Sequence, residues 1–242
     1  MHNSSSVENI VVIPARGGSK GVHRKNLRIV DGHPLVAYAI QTALNMQSVD
    51  VVAVSPEDDE IASVSRNLGA NIIERPNMLA EDEISLPEVI KHAKLYFEDR
   101  GIIPQRFISL QPTGPLITSK SLTEAIALHK STNCDSVVSI AEVTHAHPYW
   151  VKNYDSETGK VVSFFDIDVH RYPQKQDLPR CYMYTGGFYI RKTALLNESK
   201  GFYLGDDIRG YLLHDEEALD IDTVEDMKYF KFLIDKKCVY KK

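Results

Sequence analysis

Cysteine is scarce in this sequence, and the few that occur are far apart. Cys134, Cys181 and Cys238 are odd in number and form no C-x-x-C pair, so neither a disulfide framework nor a zinc cluster is indicated. We expect Cys134 and Cys181 to be small buried residues rather than nucleophiles. This cysteine usage fits a reducing compartment such as the cytoplasm.

An excess of positive charge and long apolar runs are also lacking. The 242 residues carry 28 Lys and Arg against 33 Asp and Glu, for a net charge of −5. This balance gives no general electrostatic reason to bind nucleic acid or an anionic membrane. No stretch approaches the ~18 continuous apolar residues of a membrane helix, and the opening MHNSSSVEN lacks the apolar run of a signal peptide. We therefore expect a cytoplasmic protein in which any anion binding is local.

What the sequence does contain is an alternation of strand and helix patterns. Strands are predicted from short apolar runs at 10–13, 51–54, 71–73, 107–110, 136–140 and 187–190. Helices are predicted at 35–44, from Pro56 after a Ser55 cap, at 86–97 and at 119–129. The final stretch EALDIDTVEDMKYFKFLI is predicted to pass from a strand into an amphipathic helix. This alternation predicts one Rossmann-like, three-layer α/β/α domain over residues 1–242, with a mostly parallel sheet and ligands at the carboxyl ends of its strands.

Residues 142–179 differ in character from the rest of the chain. Aromatic side chains are spread through short extended pieces around the turn DSETG, at Tyr149, Trp150, Tyr154, Phe164 and Phe165. We predict a small β-rich excursion from the sheet. Its aromatic content suits either a satellite core or a subunit interface.

The first predicted strand ends in IPARGGSKGVHRKN, residues 13–26, which holds four Arg or Lys residues, three glycines and no acid. Its glycine spacing fits neither the Walker loop G-x-x-x-x-G-K-[ST] nor G-x-G-x-x-G. Glycines let backbone N–H groups approach a ligand, while Arg16, Lys20 and Lys25 can form charge-assisted contacts to phosphate oxygens. The segment indicates a phosphate-binding loop, and the alternative is a basic turn exposed to solvent.

A second candidate site lies in LDIDTVED, near the end of the sequence. Asp220 and Asp222 are two positions apart, so they point to one face if the segment is a strand. Two carboxylates on one face repel each other unless a cation or water separates them, and Mg²⁺ prefers oxygen ligands and accompanies substrate phosphates. Alternatively, Asp222 only caps the helix beginning near Thr223. Together, the basic loop and this acidic pair favour a site for a magnesium-bound polyphosphate.

The third candidate is LQPTGPL, where a predicted strand ends at Leu110 and Gln111 precedes a turn stiffened by proline. A neutral amide at that place could donate a hydrogen bond to a sugar or a base. Taken alone, the segment is more simply explained as a turn.

Four motifs, in this order across essentially the whole chain, resemble those of the cytidylyltransferases that activate sialic acids and related keto-sugar acids: IPARGGSKGVHRKN, ERPNMLAED, LQPTGPL and DIDT. The resemblance implies a nucleotidyltransferase fold and transfer of CMP from CTP to the anomeric hydroxyl of a sugar acid, with release of pyrophosphate. It also implies Mg²⁺ as cofactor and a homodimer in which the 142–179 excursion lies near the partner subunit's sugar site.

The resemblance assigns roles to residues on the nucleotide side. Triphosphate contacts are expected from Arg16, Ser19, Lys20 and Lys25, and a further nucleotide contact from Asn26. Cytosine-side contacts are expected from Arg75, Ser85 and the backbone near Ile84. The expected magnesium ligands are Asp220 and Asp222. The expected catalytic residues are Arg16, Lys25 and Asp222, since positioned charge does most of the work in phosphoryl transfer.

The sugar side departs from the family pattern. Where sialic-acid members carry R-x-N-G-A, this chain reads MYTGG at 183–187, and where they carry S-P-L-R it reads GPLI at 114–117. Loss of an arginine fork implies that Arg180 compensates or that the acceptor is held differently. Expected acceptor contacts are Gln111, Thr185, Gly186, Phe202 and Tyr203. The last two form either an apolar wall for an N-acyl group or part of the core.

The overall pattern favours a nine-carbon acceptor such as N-acetylneuraminate, legionaminate or pseudaminate. The alternatives are an eight-carbon Kdo-type acid, a sugar-1-phosphate nucleotidyltransferase, and a non-catalytic nucleotide-binding protein. R-G-G-S-K in place of a G-x-G-T-R-type opening argues against the sugar-phosphate enzyme. The acidic pair argues against a protein that only binds, because such a protein has less need of a metal site.

Overall fold

The described chain, residues 7–81, 83–197 and 203–240 of a computed structural model, alternates strands with helices. The strands are β1 (Asn9–Pro14), β2 (Ile29–Val30), β3 (His33–Pro34), β4 (Val51–Ser55), β5 (Asn71–Ile72), β6 (Arg106–Leu110), β7 (Ser136–Glu142), β8 (Lys152–Tyr154), β9 (Val161–Ser163), β10 (Tyr182–Lys192) and β11 (Ile208–Leu212). The α-helices are α1 (Leu35–Leu44), α2 (Asp59–Asn67), α3 (Leu86–Glu98), α4 (Ser119–Thr132) and α5 (Val224–Tyr240).

Seven of these strands form the central sheet, in the order β11-β7-β10-β6-β1-β4-β5. β1 lies between parallel neighbours, with Ile10 opposite Val51 on β4 and Phe107 on β6. β10 is antiparallel to both of its neighbours, while β11 with β7 and β4 with β5 pair in parallel. The predicted mostly parallel α/β sheet is therefore confirmed. Parallel order brings the carboxyl ends of β1, β4 and β6 to one edge of the sheet.

The central strands are apolar on both faces because helices cover both faces. Val11 and Ile13 of β1 pack in the same core as Ile40 of α1. Ile10, whose side chain points the opposite way along the strand, packs with Ile90 of α3 in the core beneath the other face. β1 is therefore buried between two layers, and the basic loop that follows it starts from a rigid base.

Helix α2 begins later than predicted. It starts at Asp59 rather than Pro56, and its N-cap is Asp58. Oδ1 of Asp58 accepts hydrogen bonds from the N–H groups of Glu60 and Ile61, at 3.0 Å each. Ser55, the predicted cap, instead ends β4 opposite Pro14. The carboxylate of Asp58 satisfies the first-turn donors, so the helix has no need of the earlier serine.

The segment 219–222 is not the predicted strand. The N–H of Ile221 donates to the carbonyl of Thr113 at 2.9 Å, and the N–H of Asp222 donates to the carboxylate of Asp226 at 3.1 Å. These bonds fix an irregular extended segment against the turn that follows β6. The premise that strand geometry aligns Asp220 with Asp222 is therefore wrong.

Residues 142–179 contribute one short hairpin to the fold. β8 and β9 pair antiparallel, with Asn153 opposite Val162, and much of the remainder consists of 3₁₀ turns at 148–150, 169–171 and 175–177. The side chains of Tyr154, Phe164 and Phe165 are 69%, 55% and 46% exposed. These three rings are not buried in a core of the described chain, and the subunit interface stays a prediction.

In the part of the chain that the structure describes, none of the helices has both the length and the apolar character needed to cross a membrane.

Candidate active site

A cavity of about 530 Å³ opens at the carboxyl ends of β1 and β6. The predicted site residues that line it are Arg16, Ser19, Lys20, Lys25, Asn26, Arg75, Ile84, Gln111 and Asp222. The predicted residues outside its lining are Ser85, Thr185, Gly186, Tyr203 and Asp220, while Phe202 lies outside the described residues. Side chains from four distant stretches of sequence thus meet around one space.

The three glycines of the basic loop have different surroundings. A Cβ added to Gly21 would lie 2.1 Å from the backbone oxygen of Asp222, a distance that real Cβ atoms do not show. A Cβ on Gly17 would lie 2.7 Å from Oδ2 of Asp58, whereas one on Gly18 would meet no heavy atom of the described chain within 4 Å. Among these three glycines only Gly21 lines the cavity. Gly21 therefore lets the loop pack directly on the DIDT segment.

Arg24 holds the far end of the basic loop. Its backbone is left-handed, with φ of 51°, which is uncommon for a residue with a side chain. Its guanidinium donates to Asp58 at 3.1 Å and to Glu60 at 2.8 Å. These two ion pairs anchor the residue immediately before the 3₁₀ turn Lys25–Leu27, which presents Lys25 and Asn26 to the cavity.

Lys25 connects the basic loop to the acidic pair. Its Nζ donates to Oδ1 of Asp222 at 3.0 Å and to the backbone oxygen of Ile221 at 2.5 Å. The Lys25 side chain is 13% exposed, whereas that of Asp222 is 72% exposed. Because most of the Asp222 side chain is exposed, its carboxylate stays accessible to a second cation while it accepts from Lys25.

Asp222 does not cap α5. The N–H of Asp226 donates to Oγ1 of Thr223 at 3.1 Å, and the N–H of Thr223 donates back to Oδ2 of Asp226 at 2.8 Å. This reciprocal pair is a capping box. The alternative in which Asp222 serves only as the helix cap is therefore wrong, and its carboxylate is directed to Lys25 instead.

Asp220 lies beside the turn at Gly186, where a Cβ would come within 3.6 Å of its Oδ2. Gly186 has a φ of +74°, which favours glycine whatever the space. Burial raises the pKa of the Asp220 carboxyl; a hydrogen bond from Thr113 lowers it, and the charge of Asp222 raises it, for a net pKa above the ordinary 3.8. A bound cation would favour the charged form of such a carboxyl.

Asn26 is buried and ties the loop to itself. Its Nδ2 donates to the backbone oxygen of Arg16 at 2.9 Å, while its Oδ1 has no hydrogen-bond partner among the described residues. Arg16 reaches across the cavity mouth, where its Nη1 lies 3.4 Å from the oxygen of Ala80. A buried acceptor without a partner is costly, and at this place a bound nucleotide could supply the donor.

Arg75 is buried against Glu57. Its Nη2 lies 2.8 Å from Oε2 of Glu57, with side chains 4% and 14% exposed. Burial lowers the pKa of Arg75, the adjacent Glu57 raises it, and the charge of Arg16 lowers it, with a net decrease. Arg16 and Arg75 thus bring two guanidinium groups to one cavity, where both could donate to a bound anion.

Glu57 and Asp58 are the functional candidates that the sequence analysis missed. They belong to SPEDD, whose serine is the last residue of β4, and they contact the basic loop at Gly17 and Arg24. Their position in the sequence could have identified them. Acids at the carboxyl end of β4, the parallel neighbour of β1, lie next to the loop that follows β1.

Ser85 is the N-cap of α3, and its N–H and its hydroxyl donate to Oε2 of Glu88 at 2.8 and 2.9 Å. These two bonds hold the pKa of Glu88 below its ordinary value. The hydroxyl of Ser85 is thus engaged in capping, while its neighbour Ile84 lines the cavity.

Of the predicted acceptor contacts, Gln111 and Thr185 differ in the hydrogen-bonding groups that they offer to a ligand. The N–H of Gln111 donates to Gly187 at 2.8 Å, but its buried side-chain Nε2 has no partner among the described residues and the residue lines the cavity. Thr185 is buried, and its hydroxyl donates to Oγ of Ser139 at 2.7 Å. Gln111 therefore has a free donor for a ligand, whereas the hydroxyl of Thr185 serves the sheet.

Tyr203 and Arg180 lie away from the cavity lining. The hydroxyl of Tyr203 donates to Asp206 at 3.2 Å. The side chain of Arg180 is 79% exposed, and its Nε lies 3.9 Å from Oε1 of Glu142. Arg180 and Glu142 line a second cavity of about 490 Å³ at the base of the 142–179 excursion. Among the described residues, Arg180 is not part of the lining of the first cavity.

The amino-acid sequence is similar to those of a known protein family. A family model described as Cytidylyltransferase matches residues 10–179. An N-acylneuraminate cytidylyltransferase of Escherichia coli is 30% identical over 90% of this chain, which spans only 50% of that protein. A CMP-N,N'-diacetyllegionaminic acid synthase of Legionella pneumophila is 30% identical, with 88% and 90% of the two chains covered. A pseudaminic acid cytidylyltransferase of Campylobacter jejuni is 31% identical, with 94% and 96% covered.

Solved structures agree on the fold. A CMP:2-keto-3-deoxy-manno-octonic acid synthetase complexed with CTP superposes with a TM-score of 0.71 at 16% identity, covering 95% of this chain and 99% of that one. A 4-diphosphocytidyl-2C-methyl-D-erythritol synthase of Anaerococcus prevotii gives 0.59 at 12% identity. With the family model matched over most of the chain and relatives aligned along nearly all of it, this protein belongs to the cytidylyltransferase family.

Proposed function

We propose that this protein transfers CMP from CTP to the anomeric hydroxyl of a nine-carbon keto-sugar acid and releases pyrophosphate. The observation that carries the proposal is the convergence of Arg16, Lys20, Lys25 and Arg75 on one cavity that also contains the carboxylate of Asp222. Basic side chains grouped in this way suit a triphosphate. The names of three relatives include N-acylneuraminate, legionaminic acid and pseudaminic acid, which supports the acceptor class.

The cavity is divided in a way that suits a nucleotide. Apolar side chains lie in the part formed by the 79–89 segment, at Leu79, Ile84, Leu86 and Val89, whereas basic side chains lie in the part formed by the loop after β1. The apolar wall, with Arg75 beside it, suits the cytosine end of CTP, and Ser85 would act there through its backbone. The loop residues Arg16, Ser19, Lys20 and Lys25 would hold the triphosphate, and Asn26 the part between.

Asp220 and Asp222 fit a magnesium ion. Both supply carboxylate oxygens, the charge of Asp222 raises the pKa of Asp220, and Asp222 already holds a cation in the form of Lys25. No group of three or more His, Cys, Asp or Glu side chains in the described chain could enclose a metal. With two carboxylates from the chain, a bound Mg²⁺ would take its remaining ligands from phosphates and water. When bound, Mg²⁺ would neutralise charge on the triphosphate oxygens.

The chain's own residues then act by positioning and by charge. Arg16 and Lys25 would neutralise the oxygens of the reacting phosphates as the bond to pyrophosphate breaks. The free amide donor of Gln111 would orient the acceptor so that its anomeric hydroxyl lies in line with the α-phosphorus. Gly186, whose φ of +74° favours glycine, would place the turn of the chain on the acceptor side beside Asp220.

We also propose a homodimer and a cytoplasmic location. The exposed rings of residues 142–179 would lie at the subunit interface, where the partner subunit could complete the sugar site, since Arg180 is not part of the cavity lining within one chain. Tyr203 and Phe202 stay proposed as a wall for an N-acyl group. The cytoplasm is proposed because three widely spaced cysteines suit a reducing compartment.

One experiment tests the proposal against its rivals. The purified protein is incubated with CTP, Mg²⁺ and a panel of free sugar acids and sugar phosphates, and pyrophosphate release is followed. Turnover with a nine-carbon acid is the expected result. Turnover only with Kdo-type acids or only with a sugar phosphate would select those alternatives, and CTP binding without turnover on any acceptor would select a non-catalytic role.

A further inference from the structure

Glu57 occupies both of its carboxylate oxygens with parts of the candidate active site. Its Oε1 accepts the N–H of Gly17 at 2.7 Å, and its Oε2 accepts from Nη2 of Arg75 at 2.8 Å. The side chain is 14% exposed, and the residue does not line the nucleotide cavity. Glu57 thus connects the start of the basic loop to Arg75 from outside the cavity lining.

Arg75 needs this connection for two reasons. It is 4% exposed, and a buried charge without a partner is destabilised by the loss of hydration. The charge of Arg16 also opposes it and lowers its pKa. Besides Glu57, the backbone fixes the residue, since the N–H of Arg75 donates to Pro56 at 2.9 Å. The side chain of Glu57 therefore holds Nη2 of Arg75, and the backbone of Pro56 next to it holds the main chain of Arg75.

We propose that Glu57 is a positioning residue, which holds Arg75 and the basic loop at the separation that CTP requires. The proposal rests on the proposed function, because it takes CTP as the ligand between these two groups. Glu57 does not touch the ligand. It acts by keeping two cationic groups fixed before the anion arrives, so that binding does not have to order them.

The sign of the effect separates positioning from simple charge. If Glu57 acted only through its field, its removal would make the site more positive and CTP would bind more tightly. If Glu57 acts by positioning, its removal frees Arg75 and CTP binds less tightly. The two readings predict changes in opposite directions.

The decisive variant is Glu57→Gln. The amide keeps an oxygen for the N–H of Gly17 but replaces the charged partner of Arg75 with a neutral group. Asp59→Asn is the matched control. Asp59 lies two residues after Glu57, its side chain is exposed at the start of α2, and its substitution removes the same single negative charge. Both variants and the wild type are titrated with CTP by calorimetry, and steady-state rates are measured with CTP varied.

We expect Glu57→Gln to raise the Kd and the KM for CTP about tenfold, the scale of a lost hydrogen bond between charged groups, with kcat within about threefold of wild type. Asp59→Asn should change the Kd less than about twofold, by the salt-screened effect of an exposed charge. In an Arg75→Met background, the further substitution Glu57→Gln should also change the Kd less than about twofold, because Glu57 acts through Arg75.

Three results would overturn the proposal. CTP binding by Glu57→Gln that is equal to or tighter than wild type would show that the contact does not position Arg75. A fall in kcat with unchanged KM and a lowered thermal midpoint would show a role in folding alone. Additive effects of the Glu57 and Arg75 substitutions would show independent action.

A failure of the proposed function would look different. The wild type itself would then not bind CTP. In that case, deuterium exchange in the ligand-free protein tests whether Glu57 positions the basic loop. Faster exchange of residues 14–26 in Glu57→Ala than in Asp59→Asn would support the positioning of the loop. Equal exchange in the two variants would overturn it.

Discussion

Replacing Gly21 with alanine should disable the site without unfolding the protein. The new methyl carbon would lie 2.1 Å from the backbone oxygen of Asp222, whereas ordinary contact begins at 3.4 Å. The basic loop and the DIDT segment must therefore separate by the difference, about 1.3 Å, and Lys25 moves with the loop while Asp222 moves with its own segment. A misplacement of ~1 Å can cost about a hundredfold in rate, which equals about 2.7 kcal/mol of transition-state stabilisation.

Gly18→Ala is the matched control for this prediction. Gly18 belongs to the same loop, but a methyl group there would meet no described atom within 4 Å, and the residue does not line the cavity. With pyrophosphate release as the assay, we expect kcat/KM to fall about a hundredfold in Gly21→Ala and to stay within about threefold of wild type in Gly18→Ala. The thermal midpoint identifies any variant that fails to fold. A folded Gly21→Ala protein with wild-type kcat/KM would refute the reasoning.

Asp222→Asn should lower kcat/KM about a hundredfold and raise the Mg²⁺ concentration for half-maximal rate; an unchanged magnesium titration would contradict the metal assignment. The pKa of Asp220 is raised above the ordinary 3.8, so in the folded protein its carboxyl keeps its proton at pH values where the unfolded chain has lost it. As the pH rises between these two pKa values, the contribution of Asp220 to the free energy of unfolding falls. Without Mg²⁺ at pH 7, urea unfolding should therefore show Asp220→Asn at least as stable as wild type, and a clear loss of stability would be incompatible with the raised pKa. In the same assay, Asp226→Ala should lose about 1 kcal/mol with the capping box of α5, and an unchanged midpoint would mean that the cap contributes nothing.

The fold could be predicted wherever burial leaves a pattern in the sequence. β1 is apolar at every position from Ile10 to Ile13 because both of its faces are covered. β11, with the sequence IRGYL, was missed because it lies at the edge of the sheet with its side chains mostly exposed, so neither an apolar run nor a clean alternation marks it. The start of α2 was misplaced because Ser55 and Asp58 are both good caps, and only the pairing of Ser55 in the sheet decides between them.

The candidate site could be predicted where residue type alone limits the chemistry. A run of Arg, Lys and Gly without acid has few uses, and the structure brings that run to the cavity. Thr185 shows the limit, because a hydroxyl next to a glycine is equally suited to a ligand or to the core, and in the fold it donates to Ser139. Glu57 shows the converse. Within SPEDD it resembles any solvated acid, and its role depends on the neighbouring strand that brings Gly17 to it.

The acids around the site also explain how a protein of net negative charge holds a cluster of cations together. Two kinds of counter-charge are present. Glu57 is 14% exposed and fixed to its partners, so it stays with Arg75 whether or not a ligand binds. Asp222 is 72% exposed and bonded to Lys25; under the proposed function it would release that lysine to a phosphate and bind the metal instead. An incoming magnesium triphosphate would thus exchange partners with the exposed pair while the buried pair keeps the geometry. Substituting the exposed carboxylate should therefore affect the metal dependence of the reaction, whereas substituting the buried one should affect the affinity for CTP.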